Sequence, residues 1–140
     1  MARLLAFDFG TKRIGLAVTD PEQIVANPFE TVRTHEIFGF LEKYLAEEKV
    51  EAFVVGMPKD LFDKDSHSTG AVNQFVKQLK SKFASYPIHL HDERFTSKLA
   101  LDTMIRGGSK KSDRRKKGNI DKISAAIILQ SFMEARSYRK

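Results

Sequence analysis

The sequence predicts a single α/β domain built on a mixed sheet with helices on both faces. Three observations carry this expectation. The 140 residues suffice for one domain and little more. Three strand-like segments come first, and helix, strand, helix, strand and helix patterns follow in turn. Two of the strand segments, 3–10 and 51–57, are apolar at nearly every position, which suits strands covered from both sides.

The elements follow in order. Residues 3–10 and 14–19 read as a hairpin joined by the tight connection Gly10-Thr11-Lys12-Arg13. Residues 27–32 make a third strand, begun through Pro28. A helix starting at Thr34 or His35 carries Ile37, Phe38, Leu41, Tyr44 and Leu45 at helical spacing. The strand 51–57 ends at Pro58, and the polar stretch 59–68 reads as a loop. Val72, Phe75, Val76 and Leu79 mark another amphipathic helix, and 87–91 a fifth strand. Thr96 or Ser97 can cap a helix carrying Leu99, Ala100, Thr103 and Met104, ended by Gly107-Gly108. A last helix covers 119–136. The expected organisation is one domain over 1–140, without internal repeats.

Composition narrows the function. There is no cysteine, so disulfide scaffolds and Cys-based zinc or redox sites are excluded. No apolar run approaches the roughly 18 residues of a membrane span. The start, MARLLAFDFG, passes straight into a strand pattern rather than a signal peptide, so the expected compartment is the cytoplasm. The net charge is +6, and the segment 106–117 holds that whole excess: Arg106, Lys110, Lys111, Arg114, Arg115, Lys116 and Lys117 against Asp113 alone. Such a segment is the footprint of a polyanion binder, and its like charges between glycines predict a mobile loop. It has no large apolar residue to insert into a membrane.

Three acids stand in unusual places. Asp8 lies between Phe7 and Phe9, where a carboxylate is costly unless it is paired or binds a cation. Glu93 directly follows the strand PIHLHD. Asp121 shares a helix face with Ala125, Ile128 and Phe132, an inward stripe; dipole placement in a first turn explains an acid there but not its apolar face. Together they end two strands and begin a helix able to pack on the same sheet. Ligands of open α/β sheets bind beyond the carboxyl ends of the strands. Oxygen ligands without Cys or His favour Mg²⁺ or Mn²⁺. Acids of this kind beside a polyanion-binding loop point to metal-assisted phosphodiester hydrolysis.

The segments FDFGTKRIGLAVTD, VVGMP, DERFTS and GNIDKISAAIILQSF resemble the four motifs of the YqgF family, in order and over nearly the whole chain. Members have the RNase H-like fold and are described as Holliday junction resolvases or pre-16S rRNA nucleases. The resemblance implies a five-stranded sheet with its second strand antiparallel to the rest. It implies Asp8, Glu93 and Asp121 as catalytic and metal-holding residues. It adds Gly10, Lys12, Arg13 and Gly15 beside that site, with Arg94 and Thr96 as neighbours of Glu93. Substrate contacts are then expected from Lys12, Arg13, Arg94 and Thr96, and from Lys110, Lys111, Arg114, Arg115, Lys116 and Lys117 of the basic loop. The chain departs from the pattern at KDLFDKDSHST, so no family contact is carried onto 59–69, and His67 reads as an exposed loop residue. His89 and His91 read as packing residues, although His91 also stands where it could assist a water.

The implied activity is nucleolytic processing of the 5′ end of a 16S ribosomal RNA precursor. The alternatives are a Holliday junction resolvase in DNA recombination, which needs two sites and hence a symmetric dimer, and an RNA-binding ribosome-assembly factor with idle acids. Both monomer and homodimer stay open. The pattern D-x-G-x-K-x-x-G at Asp8 to Gly15 also resembles the phosphate loop of actin-like ATPases and sugar kinases. Those bind ATP between two such domains, whereas this chain supplies one, and it has no Walker loop.

Overall fold

A computed structural model describes the backbone over residues 2–57, 67–92 and 117–138, and side chains over 2–56, 70–91 and 122–136. Within these residues five strands form one sheet in the order β3-β2-β1-β4-β5. β1 (Arg3–Asp8) and β2 (Arg13–Thr19) form the expected hairpin, in register from Leu5 opposite Val18 to Asp8 opposite Gly15. β3 (Ala26–Arg33) pairs antiparallel with β2, its register shifting at Leu16/Ala17 near Pro28. Proline cannot donate to a ladder, and β3 is an edge strand, where that costs least. β4 (Val50–Met57) is parallel to β1, and β5 (Ile88–Asp92) is parallel to β4. The second strand is thus the antiparallel one, and the mixed sheet is the one the sequence predicts.

Alternation explains the apolar runs. Leu5 and Phe7 of β1, with Phe53 and Val55 of β4, face α1 (Ile37–Glu47) and α2 (His67–Lys82). Leu4, Ala6, Ala52 and Val54 face α3 (Lys117–Tyr138). The two layers differ in kind. The α1/α2 side is rich in rings, with Phe7 set edge-on to Phe53 at 5.5 Å between centroids. The α3 side is built from alanines, Ala6, Ala17 and Ala52 meeting Ala125 and Ala126, so the helix lies close against the strands. Gly56 of β4 extends this: a Cβ there would overlap the Ile128 side chain.

Two boundaries correct the sequence reading. α2 begins at His67, so His67 and Ser68 belong to a helix and not to a loop. α3 begins at Lys117, which moves Lys117 from the basic loop onto a helix. The reason is common to both. The opening turns are polar, without the apolar spacing by which Val72 and Ala125 announce a helix. The first helix starts as a 3-10 turn, Thr34–Glu36, before α1. The expected helix near 96–107 lies outside the described residues. No helix among those described is long and apolar enough to cross a membrane.

Candidate active site

Asp8 is the last residue of β1 and half-buried. It follows Leu4 and Ala6 in the two-residue alternation, so it belongs to the face covered by α3. Its neighbours turn the other way: Phe7 packs edge-on to Phe75 at 5.6 Å, and Phe9 lies on Phe75 at 5.0 Å. The apolar flanks therefore belong to one layer and the acid to the other. Opposite Asp8 stands Gly15, which has no side chain, and next across the sheet Thr31.

The direction of α3 follows from its far end. Arg136 donates to Gln23 Oε1 at 3.1 Å, and Gln23 Nε2 donates to the carbonyl of Ala2 at 2.8 Å. The C-terminal end of α3 thus lies at the start of β1, and its N-terminal half runs toward the end of β1, where Asp8 sits. Asp121 is the fifth residue of α3, one turn before the fully buried Ala125. It belongs to the second turn, not the first as the sequence suggested, so a helix-dipole role explains it less well. Its stripe-mates behave as the spacing predicts: Ala125 and Ile128 are buried, and Phe132 packs on the same cluster.

Glu93 would come one residue after the end of β5. It lies outside the described residues, as do Arg94, Thr96, Lys110, Lys111, Arg114, Arg115 and Lys116. The side chains of Asp121 and Lys117 do too. Among the described residues no three carboxylates, imidazoles or thiols converge as a metal site. The donors available at this end nevertheless suit a hard cation. Asp8 offers carboxylate oxygen, and cysteine is absent. His91 is 6% exposed, sharing a 2.9 Å hydrogen bond between its Nε2 and Ser131 Oγ of α3. It also stands edge-on to Phe132 at 6.2 Å, and His89 lies tilted against the same ring at 5.2 Å. Both histidines tie β5 to α3, which is the packing role.

Lys12 and Arg13 lie where the β1–β2 connection meets the turn after β3. Thr34 stitches the two: its N–H donates to the Lys12 carbonyl at 3.0 Å, and its Oγ1 donates to the Gly10 carbonyl at 2.6 Å. Gly10 is required here because a Cβ would collide with the Arg13 carbonyl oxygen. The result is an open groove of about 580 Å³ lined by Thr11, Lys12, Arg13, Arg33, Thr34 and His35. Arg33 and His35 escaped the sequence reading. Their signal is register: Arg33 stands directly opposite Arg13.

Known proteins share this fold. A structure of Thermus thermophilus RuvC in complex with a Holliday junction substrate superposes with a TM-score of 0.65, at 19% identity, covering 98% of this chain and 96% of that one. At that identity the likeness concerns the fold, which is RNase H-like. A protein of Amoebophilus asiaticus is 50% identical over 140 residues, spanning 100% of this chain and 98% of its own. One of Phocaeicola vulgatus is 47% identical over 138 residues, 99% of each. Both carry the name "Putative pre-16S rRNA nuclease". The model of the RuvX family, described as Holliday junction resolvase, matches residues 2–135. The chain, an RNase H-like domain with an acid ending its first strand, belongs to the RuvX family of nucleases.

Proposed function

We propose that the protein is a divalent-metal-dependent endonuclease that processes the 5′ end of a 16S ribosomal RNA precursor in the cytoplasm. The observation that carries this is the half-buried Asp8 at the end of β1, on the face toward whose end the N-terminal half of α3 runs. Asp8, Glu93 and Asp121 would hold Mg²⁺ or Mn²⁺. When bound, such an ion supplies an acidified water and neutralises charge building on the phosphoryl oxygens. The chain's own residues do the rest. The backbone of Asp8 is held by the β1–β2 ladder, opposite Gly15. Lys12 and Arg13, held by the Thr34 stitch, draw a backbone phosphate to the same sheet end. The loop from Lys110 to Lys116, with Lys117 at the start of α3, Arg94 and Thr96, would add phosphate contacts that position without reading sequence.

The RNA substrate rests on the name the relatives carry at 47–50% identity over the whole chain. The family description favours a second reading, a four-way DNA junction cut by a homodimer. The test is cleavage of a 5′-extended 16S precursor and a four-way junction side by side, with Mg²⁺ or Mn²⁺. Metal-dependent trimming of the precursor alone supports the proposal. Cutting of the junction alone assigns the resolvase, and binding without cleavage assigns a non-catalytic assembly factor.

A further inference from the structure

Arg13 and Arg33 face each other directly across the β2–β3 ladder. Like charges in that position repel, and Arg13 already has an interaction of its own, so the charge left for an anion on this pair is that of Arg33. Lys12 lines the same groove, and neither the Lys12 nor the Arg33 side chain has a hydrogen bond or ion pair among the described residues. The acid of the adjoining 3-10 turn, Glu36, pairs loosely with His35 at 3.6 Å, on the exposed rim.

A second hollow, of about 250 Å³, adjoins this groove and shares Thr11 and Thr34 with it. Its chemistry is different. Phe9 and Phe38, both half-buried, present ring surface around the buried Phe75, with centroids at 5.0 and 6.0 Å from it. Gln74 and Gln78, exposed on successive turns of α2, line the same hollow. Each amide both donates and accepts, so together they can meet the edge of any base. Phe9 is also the residue after Asp8, so this hollow starts one residue from the acid, on the opposite face of the sheet.

We propose that the two hollows form one seat for an unpaired nucleotide of the substrate strand, its backbone phosphate against Lys12 and Arg33 and its base against Phe9 and Phe38 beside Gln74 and Gln78. This rests on the reading of the protein as a nucleic-acid enzyme, and it deepens that reading by naming the strand form. A duplex can offer the groove its phosphate, but its bases are stacked and paired and cannot enter the pocket. An unpaired strand offers both. The seat therefore favours a single-stranded segment of the substrate over a fully paired arm.

The test is binding, with EDTA present so that nothing is cleaved, of a short single-stranded RNA and of the same strand in a perfect duplex. The wild type should prefer the single strand. Ala71→Leu fills the pocket from α2 while keeping helix propensity. It should weaken single-strand binding roughly tenfold, the size of one base-stacking interaction, and leave duplex binding alone. Arg33→Ala should weaken both forms together. Gln74→Ala with Gln78→Ala, both exposed, repeats the pocket test should Ala71→Leu lower the melting temperature. Wild-type binding by folded pocket variants overturns the seat and leaves the nuclease reading standing. A wild type that binds neither strand form overturns both.

Discussion

Ile128 of α3 lies against the backbone of Gly56 in β4, so closely that a Cβ on the glycine would overlap its Cδ1. Ile128 is 3% exposed and has little room to give. This contact limits how closely α3 approaches β4 at mid-helix, and through the helix it would fix the height of Asp121 relative to Asp8.

Gly56→Ala should therefore cost about 1–3 kcal/mol of stability, and it should reduce cleavage by more than the folded fraction falls. Ile128→Val removes the Cδ1 methyl. In the Gly56→Ala background it should restore part of the stability, so that the two changes are non-additive in a double-mutant cycle followed by thermal unfolding. Strict additivity would mean that the contact is not what sets the helix height.

The β2–β3 connection has its own pH dependence. The Asp20 carboxylate accepts from the backbone N–H of Val25 and Ile24 at 2.8 Å each and of Glu22 at 3.2 Å. These bonds, that from Val25 foremost, hold its pKa below the ordinary value. A depressed folded-state pKa gives stability that is present above the unfolded value, about 3.9, and is lost as pH falls through the folded one. Asp20→Ala should lower the melting temperature at pH 7, and the gap from wild type should close toward pH 3. Cleavage should persist, because this loop lies by Ala2, at the end of the sheet away from Asp8.

The basic segment makes a third expectation. Neutralising Lys110, Lys111, Arg114 and Arg115 together should weaken binding to every substrate. For each phosphate that the variant no longer neutralises, the slope of log K against log salt should flatten by roughly 0.7 to 0.9. An unchanged slope would mean that the segment is merely solvated.

How far the sequence reveals this arrangement depends on the range of the interaction that encodes it. Alternation in β1 and the spacing Ala125, Ile128, Phe132 are local, and they carried both faces of the sheet and the inward side of α3. The opening turns of α2 and α3 were illegible because polar residues at a helix start have no periodicity. Arg33 and His35 were missed for a different reason. Their place beside Lys12 and Arg13 depends on the β2–β3 register and its shift at Leu16/Ala17, which no single segment displays. The His91–Ser131 bond joins residues 40 apart, and only the packing of α3 on β5 reveals it.

The most direct test of the acid site compares Asp8→Asn with wild type, each with and without Mn²⁺, for cleavage and for thermal unfolding. Asparagine keeps the shape and removes one charge. Cleavage should be abolished, and nucleic-acid binding should stay roughly intact. Without metal the mutant should melt at or above the wild type if Glu93 and Asp121 stand beside Asp8 as proposed, since a repelling charge is then gone. Only the wild type should gain its full increase in melting temperature on adding Mn²⁺. Full cleavage by Asp8→Asn would contradict the proposal that Asp8 holds the metal, and an unfolded mutant would make the acid a structural group instead.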